Sequence, residues 1–360
     1  MMLQNAGLVE YGREVVFHGL KDGWQKWLFI PVMVVIMVGG SFIKSVITGT
    51  VARETTAETR ARGYSIFYAV VNIGAFSGKT IVKPLRMAMG NEGLIWLNLF
   101  AAGMTALAFV LVLFLYRSSR EEGEGKNLTE IWRALVAVCS QTRLVVLMMI
   151  ITGFWMVQHQ LYATMPKYVL RMAGEGASPS WYANVNPAVV VLTVGLITQL
   201  MQHRTALFSM TVGMFIMPVS AFCMAVGNML PADATILGMQ PVALMMIVGI
   251  MFQGLAESFI SPRYLEYFSL QAPIGEEGLY LGFSHLHSFI SAILGFSISG
   301  FLLDRYCPSS EGFATAAQWA VAKQDAHYIW FIFVGVALVS AISLIVFGKV
   351  TERMDAARQR

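Results

Sequence analysis

Two charged residues stand inside long apolar stretches of the sequence. Glu257 lies in an otherwise apolar run from Pro241 to Ile260, and Lys44 lies in a stretch over 27–49. A charge at the bilayer centre costs roughly 2.5–3.5 kcal/mol on insertion scales, so such residues normally face a water-filled cavity or a partner charge. A buried carboxylate near a cation is suited to taking up and releasing a proton. We therefore expect Glu257 and Lys44 to bind ligands or protons. The alternatives are a structural pair for Glu257 and snorkelling to the headgroups for Lys44.

Uncharged polar side chains occupy similar apolar stretches. Asn72 and Asn186 each carry an amide, which can donate and accept in one contact with a peptide group. Asn186 begins an Asn-Pro dipeptide, and we expect a helix break there that frees backbone carbonyls. His159 can titrate near neutral pH, and Ser261 lies one helical turn after Glu257 on the same face. The alternative role for these groups is interhelical hydrogen bonding, worth about 0.6 kcal/mol on average in membranes.

The remaining candidates are aromatic or basic. Tyr68 and Trp155 could stack on ligand side chains or pack between helices. Lys79 is expected to snorkel outward. His285 and His287 are two residues apart, so in a continuous helix they point to different faces and predict no shared metal site. The sequence contains no HExxH, no GxSxG and no phosphate-cradling loop, so we expect no enzyme activity, no cofactor and no metal.

The composition indicates which kind of structural element positions these residues. Apolar residues make up 56% of the 360 residues and charged residues 13%, which excludes a disordered chain, a nucleic-acid-binding domain and an ordinary soluble enzyme. A span of the hydrocarbon core needs about 20 apolar residues. Nine segments meet this condition, and they are 27–49, 64–86, 94–116, 143–165, 183–203, 207–227, 240–262, 279–302 and 328–348.

Basic residues orient these spans. With a cytoplasmic C-terminus, 14 Lys and Arg residues fall on the inside and 9 on the outside, as the positive-inside rule requires. The N-terminus is then outside without a signal peptide, which we interpret as a sign of missing upstream sequence. The predicted divisions are an extracytoplasmic segment (1–26), a three-helix bundle (27–116), a cytoplasmic linker with an interfacial helix (117–142), a six-helix bundle (143–348) and a cytoplasmic tail (349–360).

Several motifs resemble one transporter family. Residues 64–76 read YSIFYAVVNIGAF, which is similar to the fifth-helix signature of the proton-coupled oligopeptide transporters, a branch of the major facilitator superfamily. Weaker similarities to other motifs of the family lie between residues 27 and 348, in the order in which the family has them. They are Gly39-Gly40 with Lys44, Phe154-Trp155 with Gln160, Trp181 with Asn186-Pro187, and Gly254 to Pro262 with Glu257.

This resemblance implies an all-α, major facilitator-like fold in which the nine spans are helices four to twelve of a twelve-helix fold. It implies a secondary active transporter, similar to symporters of di- and tripeptides with protons. The implied substrate-binding residues are Lys44, Tyr68, Asn72, Trp155, Asn186, Glu257 and Ser261, and the implied proton-coupling residues are Lys44, His159 and Glu257.

Two features depart from the family. His159 replaces a carboxylate, and the family's first three helices have no counterpart. The alternative is therefore a truncated, non-transporting paralogue that acts as a receptor or as a partner subunit. We expect a multi-pass protein of the cell inner membrane whose partners are the lipid bilayer, a small solute and protons, with no nucleic acid. A chain that truly has nine spans would also take a protein partner.

Overall fold

The computed structural model describes residues 27, 29–89, 93–117, 127–174, 176–231, 234–273 and 275–358. Within these residues the chain is almost entirely helical. The helices are α1 (Phe29–Arg53), α2 (Arg60–Met89), α3 (Gly93–Leu115), α4 (Leu128–Cys139), α5 (Thr142–Gln158), α6 (Gln160–Ala163), α7 (Met165–Ala173), α8 (Pro179–Leu200), α9 (Ala206–Val226), α10 (Pro241–Gln271), α11 (Glu277–Ser284), α12 (Leu286–Tyr306), α13 (Ala316–Ala322) and α14 (His327–Arg358).

Eight helical segments of the described residues are long and apolar enough to cross a bilayer. They correspond one to one with eight of the nine spans expected from the sequence. The ninth expected span, 27–49, falls within α1, whose described apolar stretch is Ile30–Gly40. The expected class, an all-α multi-pass membrane protein, is therefore confirmed. The predicted segment 1–26 and linker residues 118–126 lie outside the described residues.

Some helices continue beyond the apolar run that predicted them. The run 240–262 becomes α10, which ends only at Gln271. Beyond the run, the Arg263 guanidinium donates to the Glu266 carboxylate at 2.8 Å across one helical turn. Such i,i+3 pairs stabilise helical structure, and hydropathy does not detect them.

Two expected spans are interrupted. The span predicted at 143–165 is divided at His159 and again at Thr164, and the span at 279–302 is divided at His285. Neither histidine is next to a proline, so composition gives no signal for these breaks. Each interruption leaves backbone carbonyls available to side chains of other helices.

The chain separates into two compact units. One comprises Met1–Lys44 and Thr80–Leu128, and in it no residue of the Trp96–Leu115 stretch of α3 is buried, as expected of a lipid-facing helix. The other comprises Ser45–Lys79 and Thr129–Arg360 and holds an extensive core around Trp330, Tyr168 and Phe154. The sequence-based division into a three-helix and a six-helix bundle stays a prediction.

Glycines set the contact between α9 and α10 in the larger unit. A Cβ at Gly213 would lie 2.6 Å from Ile260 Cγ1 and 2.8 Å from Ala256 O. At the other end of the contact, Ser220 Oγ donates to Gly249 O at 2.7 Å. Small residues let membrane helices approach closely, so these glycines fix the position of α10 and of the residues it carries.

Candidate functional site

Glu257 of α10 lies at the centre of a buried polar cluster. Its carboxylate accepts hydrogen bonds at Oε2 from Gln158 Nε2 of α5 (2.7 Å) and from Asn186 Nδ2 of α8 (3.3 Å). All three side chains are buried. The sequence-predicted residues Glu257 and Asn186 are therefore brought together, and Gln158 joins them.

Asn186 reaches Glu257 because α8 and α10 pack closely. A Cβ on Gly254 would lie 2.8 Å from Asn186 O and 3.1 Å from Val189 Cβ. Only glycine permits this separation, and Glu257 follows it by three residues on the same helix. The close contact therefore brings the Asn186 amide within reach of the carboxylate.

The break at His159 contributes to the same cluster. Tyr162 N–H, which would bond Gln158 O in a continuous helix, bonds His159 O instead at 2.9 Å. Gln253 Nε2 of α10 donates to Gln158 O and to Val157 O, both at 3.2 Å. Gln253 therefore ties the end of α5 to α10 one helical turn from Glu257.

Several acceptors in this region have no hydrogen bond within the described part of the chain. They are Gln158 Oε1, Gln253 Oε1 and Ser261 Oγ. A buried polar atom without a partner costs about 1–3 kcal/mol, so the cluster favours a ligand that supplies N–H or O–H donors. The Tyr68 hydroxyl lies near Ser261.

Asn72 and Tyr68 lie one turn apart on α2. Asn72 is buried, and its Nδ2 donates to Tyr68 O at 2.9 Å. Asn72 thus bonds the carbonyl four residues before it on its own helix, and a role in ligand binding stays a prediction. Lys44 lies in α1, but its side chain is outside the described residues, so its predicted roles also stay predictions.

Aromatic rings and histidines connect the end of α5 to α12. The Trp155 ring centroid lies 5.8 Å from that of His159 and 5.3 Å from that of His287. His159 also stacks on Phe296 at 6.1 Å, and its Nδ1 lies 3.2 Å from Ser291 Oγ. Trp155 is therefore packed between helices, and His159 is anchored at the helix break. Neither contact tests ligand stacking or proton coupling.

The expectation that His285 and His287 point to different faces is wrong. Their rings stack with centroids 6.1 Å apart because the helix is interrupted at His285 and the i,i+2 rule of a continuous helix does not apply. The described residues contain no group of three or more His, Cys, Asp or Glu side chains that could hold a metal ion.

One further expectation needs correction. Pro187 lies inside α8, which runs without a break from Pro179 to Leu200, so the proline frees a carbonyl without ending the helix. Lys79 Nζ contacts Tyr162 OH at 3.0 Å and Ala183 O at 3.4 Å, and the outward snorkelling of Lys79 stays a prediction.

The sequence reasoning missed Gln158 and Gln253. Their signal was available, since both are amides within apolar stretches, as Asn72 and Asn186 are. It was weak, because an amide in a span gives no indication of which helix it faces. Only the register between α5 and α10 identifies them as partners of the Glu257 region.

Replacing Gln158 by Leu should lower the free energy of unfolding by about 1–3 kcal/mol, because Glu257 loses its shorter hydrogen bond. The measurement is a double-mutant cycle with Glu257→Leu, which removes the acceptor, using unfolding in detergent. We expect a coupling energy of about 0.5–3 kcal/mol, which is typical of residues in contact.

Gln160→Leu is the matched control for this cycle. Gln160 is equally buried, but it bonds Met156 O and Thr164 rather than Glu257. Its effect should add to that of Glu257→Leu within about 0.5 kcal/mol. Equal coupling for both glutamines would contradict a specific Gln158–Glu257 bond.

Comparison with known proteins identifies related sequences and folds. The model of the POT family matches residues 127–313, which include α4 to α12 and the Glu257 cluster. No curated protein matches the sequence. A crystal structure of a bacterial homologue of the iron transporter ferroportin, in its outward-facing state, has a similar fold. The TM-score is 0.61 at 13% identity, over 96% of this chain and 79% of that one. The expected major facilitator-like fold is confirmed.

Proposed function

This chain belongs to the POT family, and from that membership we propose that it carries di- and tripeptides across the membrane together with protons. The proposal starts from two findings: the chain is a multi-pass membrane protein, and it has a transporter fold. The proposal itself concerns the substrate and the coupling ion.

The observation that carries the proposal is the buried carboxylate of Glu257. It is surrounded by amides of α5 and α8, and acceptors without partners lie beside it. A protonated amino group brings a positive charge and several N–H donors, which is the complement of such a cluster. Charge-assisted hydrogen bonds are roughly twice as strong as neutral ones. A peptide amino terminus therefore suits this site better than an anionic or an apolar solute.

We assign the remaining predicted residues to the same transport cycle. Glu257 and Asn186 bind the amino end of the substrate from the six-helix bundle, and Lys44 and Asn72 bind from the three-helix bundle, with Tyr68, Trp155 and Ser261 around them. Protons are exchanged at Glu257, Lys44 and His159. Alternating access exposes the cavity to each side in turn.

The location follows from the basic residues. We propose that the C-terminus is cytoplasmic and that the membrane is the inner membrane of the cell, since Lys and Arg are more frequent in the loops that this orientation places inside. No feature of the described residues favours the alternative of a non-transporting receptor or partner subunit.

The test is uptake of labelled dipeptide by proteoliposomes that contain the purified chain. We expect saturable uptake that unlabelled di- and tripeptides inhibit and that free amino acids and longer peptides inhibit much less. Uptake that a single amino acid inhibits as well as a dipeptide would overturn the assignment of the substrate class.

A further inference from the structure

His285 interrupts one membrane span and joins α11 to α12. At this break the backbone hydrogen bonds are shorter-range than those of an α-helix. His285 N–H bonds Gly282 O at 3.2 Å, and Ser288 N–H bonds His285 O at 2.9 Å. In a continuous helix these N–H groups would bond the carbonyls of Leu281 and Ser284, which are thus left to side chains.

Two imidazoles bond these carbonyls. His285 Nδ1 lies 2.6 Å from Leu281 O, and His287 Nδ1 lies 2.5 Å from Ser284 O. A carbonyl oxygen accepts a hydrogen bond but cannot donate one, so the hydrogen of each neutral ring is on Nδ1. Each ring therefore gains and loses its second proton at Nε2.

The two rings also stack on each other across the break. Their centroids are 6.1 Å apart, with His287 buried and His285 half-buried. Two cations at this separation repel each other, more strongly in a protein interior than in water. Because both rings are attached at the break, protonation of both favours a different angle between α11 and α12.

The surroundings of His287 suit either charge state. Its Nε2 lies 3.1 Å from Ser288 Oγ, which donates to the neutral ring and accepts from the protonated one. The ring centroids of Trp155 and Tyr264 lie 5.3 and 5.1 Å away. Aromatic faces within about 6 Å attract a cation. A proton on His287 is therefore tolerated within the buried cluster.

Other titratable groups lie around the histidine pair. Tyr264 of α10 contacts His287, and its hydroxyl donates to Ser284 O at 2.9 Å. A phenol is neutral near pH 7 and does not titrate with the pair. The groups beyond Tyr264 and Trp155, and those on α11, are Glu257 of α10, Tyr68 of α2, His159 of α5 and Glu277 and Tyr280 of α11. Among these, His159 ordinarily titrates in the same range as the pair, so a test must separate it from them.

The short helix α11 transmits the angle of the break to α1. Gly278 of α11 lies seven residues before His285, or about two helical turns. A Cβ on Gly49 of α1 would lie 3.0 Å from Gly278 Cα. The two backbones are therefore in close contact, and a rotation of α11 at His285 opens or closes that contact. In the proposed orientation this end of α11 faces the cytoplasm.

We propose that His285 and His287 form a proton-sensitive hinge, which moves α11 away from Gly49 of α1 when both rings are protonated. The inference does not depend on the substrate, because no residue of the Glu257 cluster takes part in the hinge. The hinge makes the contact between α1 and α11 depend on pH whether or not a peptide is bound.

The test measures the distance between α1 and α11 by double electron–electron resonance on the full chain, without peptide. Nitroxide labels replace Arg53 at the end of α1 and Glu276 at the start of α11, in a chain whose three cysteines are changed to serine. Between about pH 8 and pH 5, the range in which histidines titrate, the ratio of long to short distances should rise about fivefold or more, the lower limit of typical coupling.

His285→Gln should abolish this rise, because one ring can no longer be protonated. His287→Phe keeps an aromatic ring between Trp155 and Tyr264 and should abolish the rise as well, so the inference can be tested even if one variant does not fold. Thermal unfolding shows which variants are folded. His203→Gln is the matched control, since His203 is exposed in the turn after α8 and its loss should leave the rise intact.

Three results would overturn the hinge. They are a distance in the wild-type protein that does not change with pH, a rise that persists in both His285→Gln and His287→Phe, and a rise that His159→Gln abolishes. The outcome is separate from that of the uptake assay. A protein that shows the pH response but takes up no peptide would contradict the proposed function and support the hinge.

Discussion

Glu257→Gln is expected to abolish proton-driven peptide uptake while the protein folds normally. The glutamine carbonyl can still accept from Gln158 Nε2 and Asn186 Nδ2, which now bond Glu257 Oε2 at 2.7 and 3.3 Å. The neutral side chain can neither balance a substrate ammonium nor exchange a proton. Loss of one charged hydrogen bond corresponds to about 1.5–3 kcal/mol, or roughly 10–100-fold in affinity. We expect uptake to fall further, to background, because coupling is lost as well.

Uptake by proteoliposomes is the measurement, and the thermal unfolding midpoint reports folding. Glu311→Gln makes the same chemical change at an exposed position beyond the end of α12, and it should transport as wild type does. Uptake by Glu257→Gln at the wild-type rate would show that Glu257 has been assigned wrongly. A large drop in its unfolding midpoint would instead indicate a structural role.

Gly213→Ala is expected to have the largest effect on stability. The new Cβ would lie 2.6 Å from Ile260 Cγ1, 2.8 Å from Ala256 O and 2.9 Å from Phe259 Cβ. The carbonyl belongs to the backbone of α10 and cannot turn aside, so α9 and α10 must separate. Overpacking of this kind costs about 1–3 kcal/mol, and we expect a value at the upper end because three atoms are affected.

The control for this substitution is Gly335→Ala. Gly335 is exposed on α14, and no atom would lie within 4 Å of its Cβ. Alanine is preferred over glycine in helices by up to about 1 kcal/mol, so this variant should be neutral or more stable. Thermal unfolding in detergent compares the two. A Gly213→Ala protein as stable as Gly335→Ala would contradict the close packing of α9 on α10.

Hydropathy was sufficient to predict the spans but not their ends or interruptions. The stretch 207–227 differs by only one residue at each end from α9, because an apolar run bounded by polar residues has one stable arrangement in a bilayer. Helix α10 extends to Gln271 because side-chain pairs such as Arg263–Glu266 continue it beyond the apolar run. The break at His159 depends on contacts with other helices, which a single segment does not encode.

The residues of the candidate site could likewise be predicted only in part. Glu257 could be predicted because a carboxylate in an apolar run has few structural explanations. Asn186 could be predicted as an amide beside a proline in an apolar stretch, and the structure brings it to the same carboxylate. Gln158 and the contacts of Lys79 could not be predicted, since they depend on the register between α2, α5, α8 and α10.

The most direct test of the central claim is the proton movement that accompanies peptide uptake. Proteoliposomes containing the purified chain and an internal pH-sensitive dye are diluted into buffer with and without a dipeptide, with the membrane potential clamped. The account predicts that adding dipeptide acidifies the interior, and that Glu257→Gln abolishes this acidification. Peptide uptake with no change in internal pH would contradict proton coupling, and the absence of both uptake and acidification would contradict peptide transport itself.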